Sequence, residues 1–156
     1  MGSTESAIII GTLNDTSPAA ASTVAGGDIV EGLRSFQSID LFATLQGAGG
    51  GTLDVYVQSR VTSNAGVDSW YDVAHFPQLA AGAPAVIYRL PLSRYGDAVA
   101  PVVIGTALVP VLAVNTAVPG DFGDALRLVY VAGGGTNAGA VQSVQVCGTV
   151  PVQGNL

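Results

Sequence analysis

Between Gly51 and Phe76 the chain reads GTLDVYVQSRVTSNAGVDSWYDVAHF, and in its first half the aliphatic residues recur at every second position. Leu53, Val55 and Val57 alternate with Asp54, Tyr56 and Gln58. A period of two places the first set on one face of a strand and the second on the other, whereas a helix needs a period near 3.6. WYDVAHF supplies a second strand, rich in aromatic and β-branched residues. Between them, TSNAGVDS offers Ser, Asn, Gly and Asp, which accept positive φ or bond back to their own backbone. The stretch predicts an antiparallel hairpin, with Trp70 in or beside the core.

The same signals recur along the chain. Ser6 to Leu13, Asp28 to Leu33, Ser38 to Gln46 and Ala85 to Leu92 each read as a strand, and Ala98 to Val118 is expected to carry two more. Gly47 to Gly51, GAGGG, is expected to close a hairpin into the central pair. Asp124 to Ala132 and Val141 to Val150 are expected to form a last hairpin across GGGTNAG. Ser93 to Ala98 has room for one turn of helix, and no segment has a convincing amphipathic helical period. Asn14 to Gly27 is small and polar, with a Gly pair, and reads as an arm that orders on assembly.

About eight strands with Gly, Pro and Asn turns predict an all-β fold, an antiparallel β-sandwich of jelly-roll type with an extended N-terminal arm. The expected organisation is a strand and flexible arm over residues 1–37, a sandwich over 38–150 and an extended tail over 151–156, one domain in all.

Composition adds an argument about surfaces. Of 156 residues 49% are hydrophobic and 10% charged, with a mean hydropathy of +0.49; roughly a quarter is the usual charged share. All five basic residues are arginines, Arg34, Arg60, Arg89, Arg94 and Arg127. Either the coding DNA is rich in GC, or surface that lysine would cover is buried against neighbours, where Arg is preferred. The run Ala7 to Ile10 is apolar throughout, and Ala98 to Gly120 carries no charge. That second segment is long enough to span a bilayer, but Pro101, Pro110 and Pro119 would break a lipid-exposed helix. A sandwich needs one apolar face per sheet, so the surplus predicts association. A net charge of -6 and a pI near 4.2 argue against nucleic acid as a direct partner.

No chemistry-bearing constellation emerges. His75 is the single histidine; Asp72 or Asp68 could be drawn beside it, but as a lone strand residue it is expected to be structural. Asp68 and Asp72 flank Trp70-Tyr71, a spacing compatible with glycoside hydrolysis or Ca²⁺, yet next to a turn they read as solvent-facing. Tyr56, Trp70, Tyr71 and Tyr95 would make a sugar-stacking surface if they shared a face. The Gly-rich turn lacks the following helix and the lysine of a phosphate loop. Cys147 excludes an internal disulfide and is expected to be small and buried. The myristoylation pattern at Gly2 and Ser6 and the sequon at Asn14 are short enough to arise by chance. No catalytic, cofactor-binding or metal-ligating residue is assigned.

The segment LDVYVQSRVTSNAGVDSWYDVAHF, with the later ALRLVYVAGG and QSVQV, resembles small β-sandwich virion structural proteins of tailed bacteriophages, of the head decoration or cement type. The resemblance covers roughly residues 38 to 150 and is one of hairpin pattern, without a catalytic signature. It implies a jelly-roll-like domain, homo-oligomers that are often trimers, no enzymatic activity, and the major capsid protein as partner. The implied location is the capsid surface of the virion, after assembly in the host cytoplasm. A head-to-tail connector or tail protein is an alternative position in the same particle. A carbohydrate-binding sandwich, a receptor-binding tip or lectin, is the alternative outside it.

Overall fold

A computed structural model describes residues 6–18, 20–47, 49–62, 65–93, 108–118, 122–134 and 140–150. Its strands are β1 (Ser6–Thr16), β2 (Ser22–Glu31), β3 (Ser38–Leu45), β4 (Thr52–Thr62), β5 (Asp68–His75), β6 (Val86–Ser93), β7 (Thr116–Ala117), β8 (Ala125–Gly133) and β9 (Val141–Val150). A 3-10 turn, Leu33–Ser35, joins β2 to β3. Two antiparallel sheets pack face to face, one of four strands ordered β1-β9-β3-β6 and one of five ordered β2-β8-β4-β5-β7.

The pairings are nested. β4 pairs with β5, β3 with β6, β2 with β8 and β1 with β9, all antiparallel. The chain is thus one long double ribbon, folded so that β3 also meets β9 and β4 meets β8. That is the jelly-roll arrangement. Alternation decides what lies between the sheets. Ile39, Leu41, Ala43 and Leu45 of β3 face Leu53, Val55 and Val57 of β4 and Leu126, Leu128 and Tyr130 of β8, all buried in one cluster. Leu13, Val144 and Val146 close it from β1 and β9.

Three expectations change. Asn14 to Gly27 is not an arm: it holds the end of β1, a short connection and the first half of β2. Its loop-like composition reflects a bulge, because β2 pairs with β8 up to Ala25↔Val129 and resumes at Ile29↔Arg127. The Asp15 carboxylate accepts from the N–H groups of Gly27 (2.9 Å) and Asp28 (3.2 Å) and holds the bulge. A Cβ on Gly26 would stand 2.1 Å from Asp15 Oδ2, so a side chain there would have to displace the carboxylate that holds the bulge.

The two proposed outer hairpins are not hairpins. The Gly47–Gly51 segment carries the chain from one sheet to the other, and so does the connection from β8 to β9. Gly51 is required by close approach: a Cβ there would meet the Gly134 carbonyl oxygen at 1.7 Å. Alternation specifies that a strand forms, whereas its partner follows from how the ribbon folds.

Finally, the described part of the uncharged segment, 108–118, holds only the two-residue β7. The remainder of that segment, the helical turn expected after Ser93, Tyr95 and the tail lie outside the described residues.

Candidate interaction surface

The outer face of the five-stranded sheet is built from the second register of the same strands. Tyr56, Gln58 and Arg60 of β4 stand opposite His75, Asp72 and Trp70 of β5, and Gln58 stands opposite Arg127 of β8. A bulge at Val73 makes this register possible: Val57 pairs with Ala74 and Gln58 with Asp72. Val73 and Ala74 both join the core, and the alternation of β5 turns over beyond them.

Exposed outer faces of sheets are usually polar and wet, but here Tyr56, Gln58, Asp72, His75 and Val129 are all buried. Residues 108–118 hold against this face. The Val111 N–H donates to Asp72 Oδ2 at 2.9 Å, and the Leu112 carbonyl lies 2.9 Å from His75 Nδ1. Past a turn with Asn115 at φ 58°, β7 pairs with β5, and the Val118 N–H donates to the Val73 carbonyl at 2.9 Å.

Under this cover the polar groups form two chains. Arg127 donates to Gln58 Oε1 from Nε (3.2 Å) and Nη2 (2.9 Å), and Gln58 Nε2 donates to Asp72 Oδ1 at 2.8 Å. Three strands and the covering segment thereby share one network. The Arg127 guanidinium also lies 4.3 Å over the Trp70 ring, and burial lowers its pKa from the ordinary arginine value. In the second chain His75 Nε2 meets Asp54 Oδ1 at 3.0 Å, and Gln78 Nε2 donates to Asp54 Oδ2 at 2.9 Å. Tyr56 stacks on His75 with ring centroids 3.8 Å apart. Burial, then the Asp54 and Asp72 carboxylates, push the Tyr56 hydroxyl up to about 12.

Arg60 gathers acids at the end of the sheet. It donates to both oxygens of Asp124 (3.1 and 3.0 Å), reaches Glu31 at 2.8 Å and stands 3.6 Å from Asp68. The hydrogen bond from Arg60 holds the Asp124 carboxyl below its ordinary range.

These contacts settle where the candidate residues stand. Each ring nitrogen of His75 has a neighbour, the Leu112 carbonyl at Nδ1 and the Asp54 carboxylate at Nε2. Its carboxylate neighbour is Asp54, which the sequence reading did not single out, rather than Asp68 or Asp72. Asp68 accepts from Thr62 and sits near Arg60, while Asp72, expected to face solvent, is fully buried. Among the described residues no cluster of three His, Cys, Asp or Glu side chains could hold a metal.

Trp70 is not in the core. Its register with Arg60 puts it on the outer face, half-buried under Arg127. Tyr71, one residue on, packs toward the core, and Tyr56 is covered. These three aromatics therefore form no shared platform for a sugar. Cys147 is half-buried rather than buried, on the outer face of the four-stranded sheet opposite Ile9 and Asp40. A cavity of about 140 Å³ opens between the two sheets beside β6 and β7, lined by Phe76, Tyr88, Leu90 and Ala117 among others.

The covering segment turns its own apolar side chains outward. Leu108, Val109, Val111 and Val114 are exposed, Val109 by 66%. The run in β1 does the same: Ile10 packs on the core, whereas Ile8 and Ile9 are exposed, Ile9 by 62%. No protein-family model matches the chain, and no curated protein matches it.

Proposed function

We propose that this chain is a structural protein of a bacteriophage virion, a decoration or cement protein that binds across neighbouring major capsid subunits and performs no catalysis. One observation carries the reading. Leu108, Val109, Val111 and Val114 face solvent on a segment whose backbone is locked to the sandwich through Asp72 and His75. An apolar patch held rigid before binding loses little conformational entropy when a partner covers it. The second exposed run, Ile8 and Ile9, offers a further contact on β1. Binding only to the assembled lattice would stabilise that lattice by mass action.

The test is co-sedimentation of the chain with capsids. Val109→Asp and Ile9→Asp each remove an exposed apolar contact and place a charge where burial would strip its water. Both variants should melt like the parent, and at least one should lose about tenfold or more in capsid affinity. A parent chain that ignores capsids but co-purifies with tails would move it to the connector or tail position. A parent chain that binds neither refutes the virion reading.

A further inference from the structure

β6 is the last strand in the order β1-β9-β3-β6, and on its far side no described strand pairs with it. It runs eight residues against β3 with no shift of register, from Leu45↔Val86 to Ser38↔Ser93. Exposed edges of this length are usually blunted by charge, bulges or proline. On β6 the charge and the proline, Arg89 and Pro91, fall in the second half, while Val86-Ile87-Tyr88 has neither and Ile87 is 74% exposed.

The proline further along shows which backbone groups are free. Pro91 has no N–H, yet the ladder to β3 continues through it, so Pro91 belongs to the set that points away from β3. By alternation Ile87 and Arg89 belong to the same set. Each offers an N–H and a C=O to an incoming strand.

We infer that this edge receives the same edge of a second copy, antiparallel, about a two-fold axis at Tyr88. In that register Ile87 of each copy exchanges both hydrogen bonds with Arg89 of the other, four bonds in all. It is the self-pairing that uses Ile87 and Arg89 of both copies in full. Centring the pair on Arg89 would set two guanidinium groups directly opposite, which is repulsive. Centring it on Ile87 would pair Arg89 with Ala85, outside the strand. In the favoured register each Arg89 keeps its own Asp40, 2.9 Å away, and lies beside an apolar Ile87. The two four-stranded sheets become one of eight, with Phe42 and Ile87 on its continuous outer face. One strand edge covers less area than the roughly 1,600 Å² of a standard interface, so the dimer is weak and forms in the upper micromolar range or when a lattice concentrates it. The inference stands on the edge itself and does not depend on capsid binding.

Sedimentation equilibrium of the whole chain, with amide exchange read at low and high concentration, tests it. The expected result is a reversible dimer in which the Ile87 and Arg89 amides gain protection together. Ile87→Pro removes one outward N–H without touching the ladder to β3. It should weaken the dimer at least tenfold while the melting curve holds. Ile87→Lys, which leaves the backbone intact, should do the same through charge beside Arg89. A chain that is monomeric at every concentration overturns the inference, as does a dimer that both variants leave intact. Protection that arises only on adding capsids also overturns it, because the edge would then take a foreign strand.

Discussion

The two sheets share one core but treat their outer faces differently. On the five-stranded sheet residues 108–118 hold against β5 on the outer face, and the polar side chains Gln58, Asp72 and His75 are buried in two hydrogen-bond chains. On the four-stranded sheet the outer face is open: Phe42, Arg89 and Ile87 are exposed, and its ion pair, Arg89 with Asp40, is wet. The lesson is that position in a strand does not set what a polar residue contributes. A buried carboxylate with two donors is costly to remove, and the same group on an open face is nearly neutral.

The strongest way to break that contrast is Asp72→Ala. It removes the acceptor of the Gln58 Nε2 bond and leaves the Val111 N–H without its carboxylate, and we expect a loss of about 3 kcal/mol in urea denaturation. A loss under about 1 kcal/mol would mean that the covering segment does not exclude water. Trp70→Ala comes next. Removing a half-buried ring that Arg127 stacks on should cost about 1–2 kcal/mol, less than a core tryptophan. Its fluorescence should lie between solvated and buried indole, and a fully buried spectrum would contradict the register with Arg60.

Titration sharpens the comparison further. The Tyr56 phenol rises from its ordinary 10 to about 12 in the folded chain. A raised value means that its stabilisation is complete below pH 10 and is lost as pH rises toward 12. Tyr56→Phe should flatten the alkaline limb of the stability curve and remove one late phenolate absorbance step. The smallest effect is expected from Asp40→Ala on the open face, where the melting temperature should stay within error. A clear drop would show that the open face is less wet than its exposure implies.

Much of the fold could be read in advance, and the misses have specific causes. β3, β4 and β5 lie within a residue or two of where alternation puts them, with Ile39, Leu41, Leu53 and Val55 inward. The first half of β2 escaped, and its second half was read as a separate strand from Asp28, because Gly26, Gly27 and Asp28 look like loop and are a bulge held by Asp15, twelve residues earlier in sequence from Gly27. Trp70 was misplaced because one extra residue at Val73 reverses which face it takes. The site was less legible. The contacts of His75 are Asp54, 21 residues away, and the Leu112 carbonyl, 37 away, and neither carries a local signal.

By itself the sequence determined where strands form, which face of most of them is apolar, and that apolar surface exceeds what one core can take. These are local properties, since side chains alternate within a strand whatever lies beside it. Only the tertiary structure decided which strands pair, because β3 meets β6 and β9 rather than β4, and β8 meets β2 and β4 rather than β9. It also decided which surplus residues stay in water: Ile87, Val109 and Ile9 do, while Val129 on an outer face does not. Burial of an outward side chain depends on what packs over it from elsewhere in the chain; over Asp72 and His75 that is the segment whose Val111 N–H and Leu112 carbonyl bond to them.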